Sequence, residues 1–295
     1  IKDRSPAEGD LATPESDRAE RARQYAAGGA AAISVLTEPS RFAGSLAHLE
    51  DVAAAVPGVP VMRKDFLVDP VQVLEARSAG ASGVLLIINM LPDDVLHTML
   101  DACFDNGMFV LLEGFDADDL DRATALLREP VFGSKAAGGQ LLVGVNTRNL
   151  RTLHVDPDRL ATLAPSLPAA RCVAESGLRE ADDAARVAGW GYTLALVGSA
   201  LMRSDDPTAL IAAMRKGRKG RAAWQTVRDR QQADIPPSPG GRDLSIVELE
   251  LNPQQSAHRY RYVAGYPNFQ TITEYNHSNF YAMAVSELAA AFSKP

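Results

Sequence analysis

Short apolar runs that end in a polar residue or a glycine alternate with helix-like segments through most of this chain. Eight such runs are present: Ile1-Lys2, Ala31 to Glu38, Val59 to Phe66, Gly83 to Asn89, Met108 to Glu113, Leu141 to Asn146, Arg171 to Gly177 and Leu194 to Ser199. Segments of helical spacing lie between them, among them Pro14 to Ala27, Ser45 to Val56, Pro70 to Ala79, Pro92 to Asn106, Ala117 to Leu127 and Glu180 to Ala188. Glu129 to Gln140 reads as a long loop before the sixth run. Strands that alternate with helices predict a parallel sheet, and eight units predict its closure into a (β/α)8 barrel. The strand C-termini and the loops after them form the active face of such a barrel. Lys2, Glu38, Lys64, Asn89, Glu113, Asn146, Glu175 and Ser199 stand at those ends and are expected to converge.

The pattern changes near residue 215. Arg215-Lys216-Gly217-Arg218-Lys219-Gly220-Arg221 is basic and glycine-punctuated, and Pro236-Pro237-Ser238-Pro239-Gly240-Gly241 follows, so 216–242 reads as a flexible linker. Beyond it, Ser245 to Leu251 and Tyr260 to Ala264 read as strands and Ser278 to Phe292 as an apolar helix. The expected organisation is therefore a barrel over 1–215, a linker over 216–242 and a small α+β segment over 243–295.

Composition narrows the function classes. A chain of 295 residues with 46% hydrophobic content can bury a full core. A net charge of −7 weighs against a nucleic-acid partner, and the basic run reads as a solvated linker. Cys103 and Cys172 lie in apolar surroundings, which suits a reducing, cytoplasmic setting and core packing. No apolar run reaches membrane-spanning length and no signal peptide is visible, so no membrane partner is expected for the barrel. His48, His97 and His154 lack ligand spacing, so no metal is expected. Ile1-Lys2 reads as the middle of a first strand, so residues that belong before it are expected upstream.

Val61-Met62-Arg63-Lys64-Asp65-Phe66-Leu67-Val68-Asp69 carries the most chemistry. It places an ammonium group where an apolar strand meets a loop, a position suited to proton donation. Each candidate also has a structural reading. An isolated strand-end lysine or glutamate is more often solvated or capping than catalytic, Phe42 and Phe66 can be core residues, and Gly177 and Gly198 can serve tight turns. An ion pair between Asp65 and Arg148 would orient Lys64 without touching a ligand.

The ordered set of strand-end motifs resembles one family. Lys2 with Ser5-Pro6 and Gly9, Ser34-Val35-Leu36-Thr37-Glu38 with Phe42-Ala43-Gly44-Ser45, Arg63-Lys64-Asp65-Phe66, Leu112-Glu113, Gly144-Val145-Asn146-Thr147-Arg148, Ala174-Glu175-Ser176-Gly177 and Val197-Gly198-Ser199-Ala200-Leu201-Met202 together resemble indole-3-glycerol phosphate synthase of tryptophan biosynthesis. Each motif alone is a weak signal, whereas all of them in order, one per strand, are specific. The resemblance implies a TIM barrel and a cofactor-free carboxy-lyase acting on a small phosphorylated substrate, 1-(2-carboxyphenylamino)-1-deoxyribulose 5-phosphate, with loss of carbon dioxide and water. It implies Lys64 as the acid, Glu113 as the base for dehydration, and Lys2 as a partner of the substrate carboxylate and a second proton donor. Glu175 and Asn146 would orient the substrate. Ser5, Arg148, Ser176, Gly177, Gly198 and Ser199 would hold the phosphate end, with a helix N-terminus helping, and Phe42 and Phe66 would wall the aromatic part. The family's glutamate two positions before Lys2 and its N-terminal extension over the barrel mouth would both precede Ile1, so the barrel is expected to lack that extension. Asn149 stands where many members have aspartate.

A second resemblance covers the tail. Gly265-Tyr266-Pro267-Asn268-Phe269 through Tyr275-Asn276-His277-Ser278-Asn279-Phe280 to Tyr281-Ala282-Met283-Ala284-Val285 resembles the end of the catalytic domain of B-type lytic murein transglycosylases. The acid/base glutamate of that family lies in a helical region upstream, so Glu274 and Glu287 read as surface charges. Tyr275, Asn276 and Ser278 are candidate sugar contacts, and a helix cap explains Ser278 equally well. The alternative function is thus a cell-wall glycan-binding or remodelling protein with a degenerate barrel and a murein contact in its tail. A third reading, another phosphate-binding barrel of sugar or histidine metabolism, is opposed by Arg63-Lys64-Asp65-Phe66 and Glu175-Ser176-Gly177.

Overall fold

The computed structural model describes residues 1–11, 17–149 and 152–216, together with the backbone of three strands between 221 and 265. It divides into two compact units, Ile1–Lys216 and Gly217–Pro295.

The first unit opens with a hairpin of β1 (Arg4–Ser5) and β2 (Gly9–Asp10), followed by α1 (Arg18–Ala27). Strands and helices then alternate: β3 (Ile33–Leu36), α2 (Pro39–Phe42), α3 (Leu46–Ala55), β4 (Val61–Lys64), α4 (Pro70–Ser78), β5 (Gly83–Ile87), α5 (Asp93–Asp105) and β6 (Phe109–Gly114). The series continues with α6 (Ala117–Leu127), α7 (Pro130–Ala137), β7 (Leu141–Asn146), α8 (Arg159–Leu163), β8 (Arg171–Glu175), α9 (Ala181–Gly189), β9 (Leu194–Leu196), α10 (Ser199–Arg203) and α11 (Pro207–Lys216). Strands β3 to β9 form one seven-stranded parallel sheet in sequence order, curled into a TIM-barrel-like fold with helices outside.

Where the first strand is expected, at Ile1-Lys2, Ile1 lies beside β3. The Ile1 ammonium donates to Ser34 O and the Leu36 N–H donates to Ile1 O, which is parallel-ladder bonding on either side of Val35. Asp3 onward turns into the β1–β2 hairpin. The stretch Glu129 to Gln140, expected as a loop, holds the helix α7 over Pro130–Ala137. Pro130 occupies its first turn, and Phe132 and Ala136, four residues apart, bury one face.

Helix starts are written into the sequence. Asp17 caps α1 by accepting from Ala19 N and Glu20 N, and Ser45 caps α3 by accepting from His48 N. Asp69 and Gln72 form a reciprocal capping box at α4, with Pro70 at the first turn.

The strand period of two sorts side chains between the sheet's two faces. Val84, Leu86, Val110, Leu112, Leu141, Val143, Cys172 and Ala174 point outward into the core shared with the helices. Met62, Leu85, Ile87, Leu111 and Val173 point inward and make a second apolar cluster inside the barrel, with Phe109, Leu142 and Leu194 against it. Lys64, Glu113, Gly144, Asn146 and Glu175 share the inward parity and lie one layer above that cluster. Among the described residues, no helix is long and apolar enough to cross a membrane.

In the second unit, β10 (Arg221–Ala222), β11 (Leu244–Glu250) and β12 (Tyr260–Gly265) form an antiparallel sheet, with Ser245 opposite Gly265 and Glu250 opposite Tyr260. Arg221 and Ala222, inside the run read as linker, thus pair as a strand with β11. The expected helix Ser278 to Phe292, the candidate contacts Tyr275, Asn276 and Ser278, and Glu274 and Glu287 lie outside the described residues.

Candidate active site

Lys64 at the end of β4 points into the barrel, and its ammonium donates to Glu113 Oε2 at 2.8 Å and to Glu175 Oε2 at 3.3 Å. The register explains the meeting. Glu113 on β6 lies opposite Gly144 on β7, and Glu175 on β8 lies opposite Asn146 on β7, so the two carboxyls flank Gly144. A Cβ at Gly144 would sit 2.1 Å from Glu175 Oε1. Glycine is therefore what admits the Glu175 carboxyl to the site. Glu113 and Glu175 are 2% and 1% exposed, respectively.

Burial lowers the Lys64 ammonium's affinity for its proton, but the Glu113 and Glu175 charges outweigh this and hold its pKa above the ordinary lysine value. The two carboxyls move apart. Burial pushes both up, but the Lys64 charge, with hydrogen bonds that include one from Asn146, holds Glu113 below the usual glutamate value. Burial and the adjacent Glu113 charge drive Glu175 well above it. With the Glu175 pKa raised and the Glu113 pKa lowered beside one ammonium, Glu175 is the member of the pair that holds a proton more tightly. Glu175 Oε1 has no hydrogen-bond partner among the described residues, a cost that is smaller for a neutral carboxyl than for a carboxylate.

Asn146 Oδ1 accepts from Ser176 Oγ at 2.8 Å and from Arg148 N at 2.9 Å. With its oxygen occupied by two donors, the amide nitrogen is left to face Glu113. Ser176 and Gly177 both adopt left-handed backbone, φ +67° and +79°. A serine there is a strained conformation, held by the hydrogen bond to Asn146.

A second cluster gathers around Ser199 and Glu8. Lys2 Nζ donates to Ser199 Oγ at 2.9 Å, and Ser199 Oγ donates to Glu8 Oε1 at 2.6 Å. Arg203 meets Glu8 Oε2 at 3.1 Å and Arg148 approaches Glu8 Oε1 at 3.6 Å. Burial pulls the Lys2 pKa down; Glu8 opposes this, and the Arg148, Lys64 and Arg203 charges add to the lowering, which takes it to about 8. Gly198 precedes α10 with no side-chain cap on the helix. That helix has five residues, so the anion-binding reinforcement expected from a helix N-terminus is confined to its first few N–H groups.

Both clusters line one cavity of about 930 Å³. Phe42 and Phe66 form walls, Leu85 and Ile87 an apolar floor, and Ser5, which is buried, joins Gly177 and Gly198 at the rim. Of the eight strand-end residues, Lys2, Lys64, Glu113, Asn146 and Ser199 line the cavity, and Glu175 lies against Lys64. Glu38 reaches the cavity wall, but its carboxylate caps α2 by accepting from Ser40, Arg41 and Phe42 N–H groups. Asn89 turns away and donates to Asp119 Oδ2. The ion pair expected between Asp65 and Arg148 does not form. Asp65 pairs with Arg63 at 3.0 Å and accepts from Thr37 Oγ1, while Arg148 donates to Leu153 O and faces Glu8. Arg63 has outward parity and also donates to Gln72 O on α4, so this pair fixes the strand end that carries Lys64. Among the described residues, no group of three or more His, Cys, Asp or Glu side chains is arranged to hold a metal ion.

Glu8 and Arg203 escaped the sequence reading. Arg203 was accessible to it, because it follows Ser199 by four residues and so shares a helix face with it. Glu8 carries no such signal beyond its place in the Ser5-to-Gly9 turn.

Comparison with known proteins agrees with this geometry. Residues 1–214 match the family model of indole-3-glycerol phosphate synthase, and residues 188–290 match that of the transglycosylase SLT domain. An indole-3-glycerol phosphate synthase of Nocardioides sp. is 49% identical over 215 residues, covering 72% of this chain and 77% of that protein. One from Mycobacterium avium is 45% identical over 213 residues, covering 72% and 73%. Among solved structures, 3-hexulose-6-phosphate synthase from Salmonella typhimurium is similar in fold, with a TM-score of 0.52 at 17% identity over 70% of this chain and 95% of that one.

Proposed function

The chain belongs to the indole-3-glycerol phosphate synthase family, and from that premise we propose which of its side chains carry the reaction. The family activity is a carboxy-lyase step of tryptophan biosynthesis. The substrate, 1-(2-carboxyphenylamino)-1-deoxyribulose 5-phosphate, closes a ring and loses carbon dioxide and water. The observation that carries the assignment is the Lys64 ammonium held inside the barrel by Glu113 and Glu175.

Attack of the carboxylate-bearing ring carbon on the ketone places negative charge on the ketone oxygen, and Lys64 gives that oxygen a proton. Glu175, the proton-bearing member of the carboxyl pair, is the source that recharges the amine. Departure of carbon dioxide returns its bonding electrons to the aromatic ring. The ionised Glu113 then takes a proton from the newly closed ring while the recharged Lys64 ammonium protonates the hydroxyl, which leaves as water. Asn146, fixed through its oxygen, and Glu175 hold the substrate's amino and hydroxyl groups so that the reacting carbons meet. Phe42 and Phe66 take the aromatic ring against the floor of Leu85 and Ile87.

The phosphate goes to the second cluster, where Ser176 and Gly177 after β8 and Gly198 and Ser199 after β9 offer backbone and hydroxyl donors beside Lys2, Arg148 and Arg203. Ser5 lies at the same rim. Lys2 joins this end through Ser199 and takes the phosphate as a partner beside the substrate carboxylate. A barrel over 1–215, a linker over 216–242, a separate segment over 243–295 and a cytoplasmic setting belong to the same proposal. The match of residues 188–290 supports a second role, a murein contact by the tail. Co-sedimentation of the full chain with murein sacculi supports that role, and a chain that stays wholly in the supernatant removes it.

Indole fluorescence from the full chain mixed with the substrate is expected to rise with turnover, and Lys64→Ala is expected to slow it by about 10²–10⁴-fold. A variant as fast as the parent would sink the assignment of Lys64. A pH limb is also expected. The Lys2 ammonium is lost as pH rises through about 8, so kcat/KM falls above that pH, and Lys2→Arg moves the fall to higher pH. The same depressed value means the unfolded chain binds the extra proton between about 8 and 10.5, so Lys2 makes stability rise with pH across that window. A flat kcat/KM through this range, or an unmoved limb in Lys2→Arg, contradicts the role given to Lys2.

A further inference from the structure

The carboxylate of Glu8 makes the contacts that the phosphate reading reserves for the ligand. It accepts from the Ser199 hydroxyl at 2.6 Å, pairs with the Arg203 guanidinium at 3.1 Å and is approached by Arg148 at 3.6 Å. Lys2 reaches it through Ser199. Three cations therefore converge on one carboxylate of the chain's own making. Burial alone would raise the Glu8 pKa, yet the Ser199 hydrogen bond and the Lys2, Arg203 and Arg148 charges hold it below the ordinary glutamate value, so Glu8 is ionised at neutral pH.

Glu8 is also free to leave. It stands in the turn between β1 and β2, a hairpin of two-residue strands, and Pro6, Ala7, Gly9 and Asp10 around it are exposed. Gly9 is left-handed at φ +74° with no atom within 4 Å of where its Cβ would be, so the turn is open to solvent on that side. A rotation of the Glu8 side chain takes the carboxylate from the cradle to water.

We propose that Glu8 is a tethered competitor for the phosphate cradle: the substrate's phosphate binds by displacing its carboxylate, and Glu8 thereby sets the anion affinity of the site. The proposal rests on the phosphate reading above. A phosphate bonded to Ser199 and Arg203 would bring its oxygens against those of Glu8, and two anions do not share one set of donors without strong repulsion. The phosphate has the advantage of a second charge and a third acceptor oxygen. When it binds, the three cations face the dianion without the opposing carboxylate. A docked competitor lowers apparent affinity by the fraction of time the cradle is open.

The test is a phosphorus-31 NMR titration of the full chain with inorganic phosphate at neutral pH and fixed ionic strength, for the parent, Glu8→Gln and Glu8→Ala. Both variants are expected to bind phosphate about tenfold more tightly than the parent, as they would if Glu8 kept the cradle closed about nine-tenths of the time. Equal or weaker binding in either folded variant would overturn the proposal, weaker binding marking Glu8 as a residue that positions the cations. Absence of phosphate binding in all three proteins would overturn the phosphate reading itself, and this proposal with it.

Discussion

The contact on which the rest of the structure depends is the Lys64 ammonium between Glu113 and Glu175. Buried charges are costly unless paired, and removing one member of such a set leaves the others uncompensated. The barrel meets that cost with three devices. It raises the proton affinity of Glu175, it pairs Glu113 with the ammonium, and it leaves Gly144 without a side chain so that the Glu175 carboxyl reaches the same point. Arg63, on the opposite face of β4, locks the same strand end through Asp65, Thr37 and Gln72. An ammonium and two carboxyls are thus brought together from β4, β6 and β8.

This arrangement divides the cavity by chemistry. The cavity is lined by the Lys64 ammonium and Glu113, by a group of cations around Glu8 and Ser199, and by the apolar side chains of Phe42, Phe66, Leu85 and Ile87. A substrate with a carboxyphenyl group at one end and a phosphate at the other fits that division. Binding energy at the phosphate can then be used to hold the reacting carbons together, the usual way in which remote contacts lower a barrier.

Much of this was legible in the sequence because strand parity is simple. Apolar runs that end in Lys64, Glu113, Asn146 and Glu175 place those residues on the same inward face as Met62, Leu111, Leu142 and Val173, two positions earlier or, for Asn146, four. Position at a strand end was not sufficient by itself. Glu38 precedes Pro39 and Ser40, the grammar of a helix start, and its carboxylate serves as a cap. Asn89 falls in a short 3-10 turn after Ile87 and leaves the strand's alternation. The helix at Pro130–Ala137 was hidden because Gly133 and Gly138 suggest a loop, while the burial of Phe132 and Ala136 that decides the matter is tertiary. Glu8 was beyond reach, since its partners lie more than a hundred residues away and nothing local in the turn points to them.

The central claim is the protonation pattern of the buried cluster, and carbon-13 NMR of glutamate-labelled protein measures it directly. With signals assigned through Glu113→Gln and Glu175→Gln, the carboxyl of Glu175 is predicted to titrate well above the ordinary glutamate value and that of Glu113 below it. A Glu175 that ionises at or below the pH at which Glu113 does would contradict the account, because Glu175 would then hold no proton to return to Lys64.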